Sequence, residues 1–126
     1  MTLAELAEQI HKNAIRKGFW TWEGAQIPLP LDVDYRSHFG IVIEKLCLIH
    51  SEVSEALEAL RDGDKDLETV WHSKEKKPEG FAVELADILI RVLDLSYAVG
   101  IKDFERIVLA KMLYNECRPY LHGKKV

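Results

Sequence analysis

Cysteine is scarce in this chain of 126 residues: Cys47 and Cys117 stand alone, with no CxxC motif and no zinc-ligand spacing. This scarcity argues against a disulfide framework and against a structural zinc site. No run of eighteen apolar residues occurs, so we expect no membrane span. Glu5 and Glu8 interrupt the apolar residues near the start of the chain, so we expect no signal peptide and a reduced, cytoplasmic setting.

Positive charge is also in deficit. There are 17 Lys and Arg residues against 21 Asp and Glu residues, which gives a formal net charge of −4. Proteins that bind nucleic acid polymers without sequence preference normally present a net basic surface, so we do not expect that function. Low-complexity tracts and repeats are absent from the sequence, and a content of 48% hydrophobic residues is typical of one globular domain, here residues 1–126.

Apolar residues recur at helical spacing in four segments, and this periodicity predicts an all-α fold. We predict a four-helix antiparallel bundle. A chain of this length buries only about two-thirds of its unfolded surface, so a second copy is expected to complete the bundle. The predicted helices begin at Leu3 and end before Gly18, run from Tyr35 to Arg61, from Glu79 to Val99, and from Lys102 to Cys117.

Two segments lack this periodicity. Residues 19–34 contain Gly24, Pro28 and Pro30 and are predicted to form a loop that exposes Trp20 and Trp22. Residues 64–77 are polar and highly charged and are predicted to form a solvent-exposed connection.

The second predicted helix carries two stripes of residues at alternating steps of three and four. The first stripe is apolar and is expected to pack on a neighbouring helix, with His50 as a core histidine; it comprises Phe39, Ile43, Leu46, His50, Val53, Leu57 and Leu60. The second stripe combines charged residues with apolar ones and comprises Ile41, Lys45, Leu48, Glu52, Glu55 and Ala59. The second stripe is therefore where we expect chemistry.

Four carboxylates form the strongest candidate site. Glu52 and Glu55 are three residues apart, as are Glu84 and Asp87, so each pair projects from one side of its helix. If the two helices face each other, all four acids converge. At roughly 5 Å and an effective dielectric of about 20, each like-charged pair costs about 3 kcal/mol. A small domain does not tolerate six such pairs, so either the acids are protonated or Mg²⁺ or Mn²⁺ neutralises them.

The cations near these acids allow two interpretations. Lys45 and Arg91 are suited either to ion pairs with the carboxylates or to contacts with a bound phosphate, and the sequence favours neither. A single ExxE or ExxD motif is usually an ordinary solvated helix face. Two such motifs on helices that are able to run antiparallel favour a metal site.

The segments IHSEVSEALEALR, residues 49–61, and PEGFAVELADILIRVLDL, residues 78–95, resemble the MazG-like nucleoside triphosphate pyrophosphohydrolases of the all-alpha NTP pyrophosphatase superfamily. That family carries ExxE followed by ExxD after a variable insert, and here 28 residues separate Glu55 from Glu84. The ending KMLYNECRPYLHGKK, residues 111–125, resembles the tail of a single-domain subgroup of the same family.

The resemblance implies a homodimer or a dimer of dimers that cleaves nucleoside triphosphates to monophosphate and pyrophosphate. It implies that Glu52, Glu55, Glu84 and Asp87 bind Mg²⁺, and that Lys111, Asn115, Arg118 and Lys124 approach the nucleotide. We expect one cluster carboxylate, Glu55 first and Glu52 second, to accept the proton of a water that attacks the α-phosphorus. Trp20 and Trp22 are candidates either for stacking on a base or for packing.

Three other functions stay open. A related dUTPase, dCTPase or phosphoribosyl-ATP pyrophosphohydrolase shares the same features. A ferritin-like di-iron bundle needs a Glu-x-x-His motif on each of two helices, and only Glu8 with His11 fits. A non-catalytic helical module whose acidic stripes bind a partner protein is the third alternative.

Overall fold

The computed structural model describes residues 1–63, 67–68 and 70–123, and the four predicted helices are present. Helix α1 spans Leu3–Arg16, α2 spans Arg36–Arg61, α3 spans Phe81–Ala98 and α4 spans Phe104–Glu116; a short 3-10 helix, Tyr120–Gly123, follows. These bounds agree closely with the predicted ones. The all-α class is therefore confirmed.

Local sequence explains where the helices begin and end. Helix α1 starts with a capping box, in which the Thr2 hydroxyl accepts from the backbone N–H of Glu5 and the Glu5 carboxylate accepts from the backbone N–H of Thr2. Helix α2 ends before Gly63, whose φ of +94° is the left-handed conformation expected there.

Two short antiparallel hairpins were not predicted. Strand β1, Thr21–Trp22, pairs with β2, Ala25–Gln26, inside the predicted loop. Strand β3, Trp71–His72, pairs with β4, Pro78–Glu79, at the end of the predicted connection. Each strand has two residues, too few to show the alternation of apolar and polar positions by which strands are recognised. Residues 64–66 and 69 of that connection lie outside the described residues.

Helix α3 is the centre of the chain and packs on both α2 and α1, while α4 contacts α1. Helices α2 and α3 are antiparallel. Glu52 contacts Arg91 and Glu55 lies beside Glu84, so residue numbers increase along α2 as they decrease along the facing side of α3. The core lies where loop 19–34 folds over α3; it consists of Ala14, Trp20, Ile27, Leu31, Ile41, Leu95 and Ala98. The backbone N–H of Leu31 donates to the Ala98 carbonyl at 2.7 Å and fixes this loop to the end of α3.

For Trp20, for His50 and for the first stripe of α2, burial within one chain differs from what the sequence predicts. Trp20 is fully buried at 0% exposure, although it was expected on an exposed loop, whereas Trp22 is exposed as expected. His50 is exposed, and the buried histidine is His11.

The first stripe of α2 does not pack on a neighbouring helix of the same chain, since its residues are about half exposed, for example Val53 at 50%. Helix α4 buries no residue, and Leu113 is 62% exposed. Within the described ranges, none of the helices is long and apolar enough to cross a membrane.

Candidate functional site

Three of the four predicted carboxylates converge between α2 and α3. One ligand oxygen from each of Glu52, Glu55 and Glu84 lies within 4.8 Å of the other two. Glu52 is buried, Glu84 is half-buried and Glu55 is exposed, so the cluster reaches from the helix interface to solvent. The three-residue spacing on α2 and the antiparallel packing of α3 together bring these groups to one point.

Glu84 is the member of the cluster whose carboxyl has a raised pKa and a buried oxygen without a hydrogen-bond partner. Burial raises the pKa of its carboxyl, and the neighbouring Glu55 charge and hydrogen bonding with Glu55 raise it further. Its Oε2 is buried and has no hydrogen-bond partner. A buried carboxylate oxygen without a donor costs free energy unless a proton or a cation satisfies it.

Asp87 lies beside this trio without being part of it. Among the described residues, Glu52, Glu55 and Glu84 place one ligand oxygen each within 4.8 Å of the other two, and Asp87 does not belong to this group. Burial and the charge of Glu52 raise the pKa of Asp87, while the charges of Arg91 and Lys77 oppose that rise. Asp87 therefore faces both the acids and two cations.

Arg91 is an ion-pair partner of the cluster. Its Nε donates to Glu52 Oε1 at 2.6 Å, and Glu52 is only 8% exposed. Of the two interpretations that the sequence allowed for Arg91, the ion pair is present. This pair gives Glu52 a counter-ion inside the chain.

A cleft of about 700 Å³ opens next to the cluster, between α1, α2 and α3. Its charged residues are balanced, with Glu52, Asp87 and Asp94 against Lys45, Lys77 and Arg91. Its apolar lining comprises Leu6, Ile10, Ala14, Phe19, Trp20, Ile90 and Leu95, and its neutral polar residues are Gln9 and Asn13. The cleft thus combines an apolar wall with cations that suit a phosphorylated organic molecule.

A buried hydrogen-bond network forms one end of this cleft. Asp94 accepts from Trp20 Nε1 at 3.0 Å, and its Oδ1 lies 2.6 Å from His11 Nδ1. The His11 ring also packs against the rings of Trp20 and Tyr97. Asp94 therefore joins α3 to α1 and to the loop after α1.

Lys45 closes the same end from α2. Its Nζ donates to the Phe19 carbonyl at 2.9 Å and lies 4.4 Å from the centre of the Trp20 ring. Burial lowers the pKa of Lys45, against the opposing charge of Asp94. Lys45 was expected to pair with a cluster acid or with phosphate, and in the chain it secures the Trp20 loop while lining the cleft.

Lys111, Asn115 and Arg118, the predicted nucleotide contacts that the structure describes in the C-terminal region, are not part of this cleft. Lys111 Nζ and the Arg118 guanidinium both lie over the Tyr114 ring, at 4.8 and 5.6 Å. Asn115 is exposed on α4, and Lys124 lies outside the described residues. Within the described residues, one chain therefore does not bring Lys111, Asn115 or Arg118 to the acids.

Lys77 and Trp71 lie near the acids and were not predicted from the sequence. Lys77 lines the cleft and also borders a smaller groove that contains Glu55, Glu84 and Trp71. Both residues belong to the β3–β4 hairpin, which lacks a periodic pattern. Pro78 and Gly80 mark a turn just before α3, which carries Glu84. Their position was the one sequence feature that could have placed Lys77 near the acids.

Neither candidate di-iron ligand is available for that role. Glu8 forms an ion pair with Lys12 at 2.7 Å, and His11 is engaged with Asp94.

A second cavity, of about 550 Å³, lies between the β1–β2 hairpin and the start of α2 and includes Trp22 and His38. It contains no member of the acid cluster, so Trp22 lies away from the candidate site.

No protein-family model, no curated protein and no solved structure matches this chain. Its function is therefore inferred from its own residues and their arrangement.

Proposed function

We propose that this chain is a Mg²⁺-dependent nucleotide pyrophosphohydrolase that cleaves nucleoside triphosphates to monophosphate and pyrophosphate. The observation that carries the proposal is the convergence of Glu52, Glu55 and Glu84: Glu52 lines a charge-balanced cleft of about 700 Å³, and Glu55 and Glu84 line a smaller groove that shares Lys77 with it. A nucleotide pool in the cytoplasm is the proposed setting, and removal of unwanted nucleotides is the proposed role.

The residues present fit a divalent cation. The donors are carboxylate oxygens, which Mg²⁺ and Mn²⁺ prefer over softer metals. The Glu84 oxygen without a partner and the repulsion between Glu84 and Glu55 both call for positive charge at this point. Glu52, Glu55 and Glu84 would hold the ion, with Asp87 adjacent to it.

A bound Mg²⁺ supplies charge neutralisation for the triphosphate oxygens and the leaving pyrophosphate. The residues of the chain would position the nucleotide. The apolar wall around Ile10 and Trp20 would receive the nucleoside, and the cations at the acid end would orient the phosphates. The oxygen of a water forms a bond to the α-phosphorus, and the bond from that phosphorus to the bridging oxygen of pyrophosphate breaks.

Glu55 is the proposed acceptor of the water's proton. It is exposed, so a water from solvent reaches its carboxylate oxygens. Glu52 is the less suitable base, because it is buried and its Oε1 already accepts from Arg91. Glu84 is also less suitable, because its Oε2 is buried away from solvent. General-base work requires an unprotonated group within reach of the water.

We also propose that a second copy completes the bundle, as a homodimer or a dimer of dimers. The half-exposed first stripe of α2 and the exposed apolar residues of α4 support this proposal, since such faces are normally covered. A partner's α4 would then offer Lys111, Asn115 and Arg118 to the nucleotide. Sedimentation at micromolar concentration is expected to give twice the chain mass or four times it.

Pyrophosphate release from a panel of ribo- and deoxynucleoside triphosphates, phosphoribosyl-ATP included, tests the activity and separates it from a dUTPase or dCTPase. The wild type is expected to release pyrophosphate only with Mg²⁺ or Mn²⁺. Glu55→Gln and Asp87→Asn are expected to lose that activity while retaining helicity. Glu58→Gln is the matched control, because Glu58 is an exposed residue of the same helix that pairs with Arg61 outside the cluster.

Absence of turnover on the whole panel would leave the helical interaction module as the better account. In that case Mg²⁺ is also expected not to raise the melting temperature, because only a cation that binds the folded state raises it.

A further inference from the structure

Glu52 and Asp87 lie at one level of the cleft, and the Trp20 network lies at another. Asp87 and Asp94 are seven residues apart on α3, as are Glu52 and Lys45 on α2, so each pair is separated by about 10 Å along its helix. The lower level holds Glu52 and Asp87, and the upper level holds Asp94, Trp20 and Lys45. The proposed nucleoside position is the upper level, so the polyphosphate would run down towards the acids.

The three cations of the cleft differ in the contacts they already make. Arg91 is bound to Glu52 at 2.6 Å. Lys45 is bound to the Phe19 carbonyl and covers the Trp20 ring. Lys77 lines the cleft at the acid end, and its ammonium forms no ion pair and no hydrogen bond within the part of the chain that the structure describes. Lys77 acts on Asp87 only through its charge, so it is able to bind an anion without breaking an ion pair or a hydrogen bond.

The β3–β4 hairpin holds the backbone of Lys77 in place. The Lys77 carbonyl accepts from the backbone N–H of Ser73 at 2.9 Å, and the Lys77 N–H donates to the Ser73 hydroxyl at 3.2 Å. The next residue, Pro78, pairs with His72 across the two strands. A lysine whose backbone is fixed at both polar groups presents its side chain from one point at the mouth of the cleft.

We propose that Lys77 binds the terminal phosphates of the substrate, the part that leaves as pyrophosphate. This inference rests on the proposed function and adds a residue to it. Lys77 lies between the cleft and the smaller groove of Glu55 and Glu84, so the phosphate end of a nucleotide whose base lies near Trp20 reaches it. An ammonium binds a phosphate oxygen by a charge-assisted hydrogen bond.

Calorimetric binding of inorganic pyrophosphate in the presence of Mg²⁺ tests this role without turnover. Lys77→Gln is expected to weaken pyrophosphate binding by about 10- to 100-fold, which corresponds to one charge-assisted hydrogen bond. Lys77→Arg is expected to retain it. Lys74→Gln is the matched control, since Lys74 belongs to the same hairpin and does not line the cleft.

Binding of a nucleoside monophosphate provides the second measurement. Lys77→Gln is expected to leave it unchanged, because the monophosphate product lies on the far side of the bond that breaks. If Lys77→Gln weakened the binding of pyrophosphate and of the monophosphate equally, the substitution would have disturbed the whole cleft, and the inference would be overturned. Wild-type-like pyrophosphate binding by Lys77→Gln would also overturn it.

The two proposals fail separately. Turnover by the wild type together with unaltered pyrophosphate binding by Lys77→Gln would reject the role of Lys77 and leave the hydrolase function intact. Pyrophosphate binding that depends on Lys77, in a wild type that cleaves no triphosphate, would support the phosphate site and reject the hydrolase function.

Discussion

Arg91 Nε and Glu52 Oε1 are 2.6 Å apart, and this contact joins α3 to α2 at the acid end of the cleft. Glu52 is buried, whereas the Arg91 side chain is 36% exposed, so the pair lies at the boundary between protein and solvent. The guanidinium neutralises one of the three carboxylates that converge here. The site therefore already contains one positive charge from the chain itself.

Removal of that charge is expected to lower stability in the absence of metal. Arg91→Met leaves Glu52 as a buried carboxylate without a counter-ion, and we expect the free energy of unfolding to fall by about 1–3 kcal/mol, less than for a fully buried pair. Urea unfolding without Mg²⁺ measures the change. Arg61→Met, which removes an exposed pair with Glu58, is expected to cost under about 0.5 kcal/mol. Equal stability of the two variants would contradict the role of Arg91.

The raised pKa values of Glu84 and Asp87 predict a pH dependence with a definite sign. Both acids hold protons more tightly in the folded state than in the unfolded chain, where their pKa values are near 4.5 and 3.8. Their contribution to stability is therefore fully present below those values and is lost as pH rises through the raised pKa values. Metal and proton compete for the same oxygens, so Mg²⁺ should bind more tightly as pH rises.

Thermal melting with and without Mg²⁺ measures this dependence. We expect the rise in melting temperature caused by Mg²⁺ to be larger at about pH 7 than at about pH 5. In the double variant Glu84→Gln with Asp87→Asn, the rise in melting temperature caused by Mg²⁺ is expected to differ less between the two pH values. A rise that is the same at both pH values in the wild type would contradict the account.

Asp94 is expected to hold the upper level of the cleft together. Asp94 Oδ1 contacts both His11 Nδ1 and Trp20 Nε1, and Trp20 Nε1 also donates to Oδ2; in Asp94→Asn the shared oxygen loses its negative charge and an NH2 group replaces the other oxygen, so these contacts weaken. We expect unfolding in urea to become easier by about 1–3 kcal/mol. Asp34→Asn, an exposed position before α2, serves as control and should change little. A wild-type unfolding curve for Asp94→Asn would show that the network is not needed.

The helices and the acid cluster were predictable because both depend on local spacing. The three-residue steps from Glu52 to Glu55 and from Glu84 to Asp87 fix the direction in which those side chains project. Asp87 departs from the predicted group of four because it lies one turn beyond Glu84, beside Glu52 and the cations. Spacing along a helix thus identified the acids but did not determine their distances across the interface.

Other features depend on contacts between distant parts of the chain. Trp20 is buried because Asp94, 74 residues later, accepts its indole N–H, and no local pattern records that pairing. Lys77 reaches the cleft through a hairpin of two-residue strands, which leave no periodic signal. The stripe that contains Val53 is apolar and about half exposed, because periodicity predicts an apolar face without saying what packs on it.

Direct measurement of divalent-cation binding tests the central claim, that Glu52, Glu55 and Glu84 form one metal site. Titration of Mn²⁺, followed by electron paramagnetic resonance, is expected to show saturable binding by the wild type. Glu52→Gln, Glu55→Gln and Glu84→Gln should each weaken it at least about tenfold, because each removes one charged ligand, while Glu58→Gln should bind as the wild type does. Mn²⁺ binding that is absent in the wild type, or that is the same in all four variants, would contradict the account.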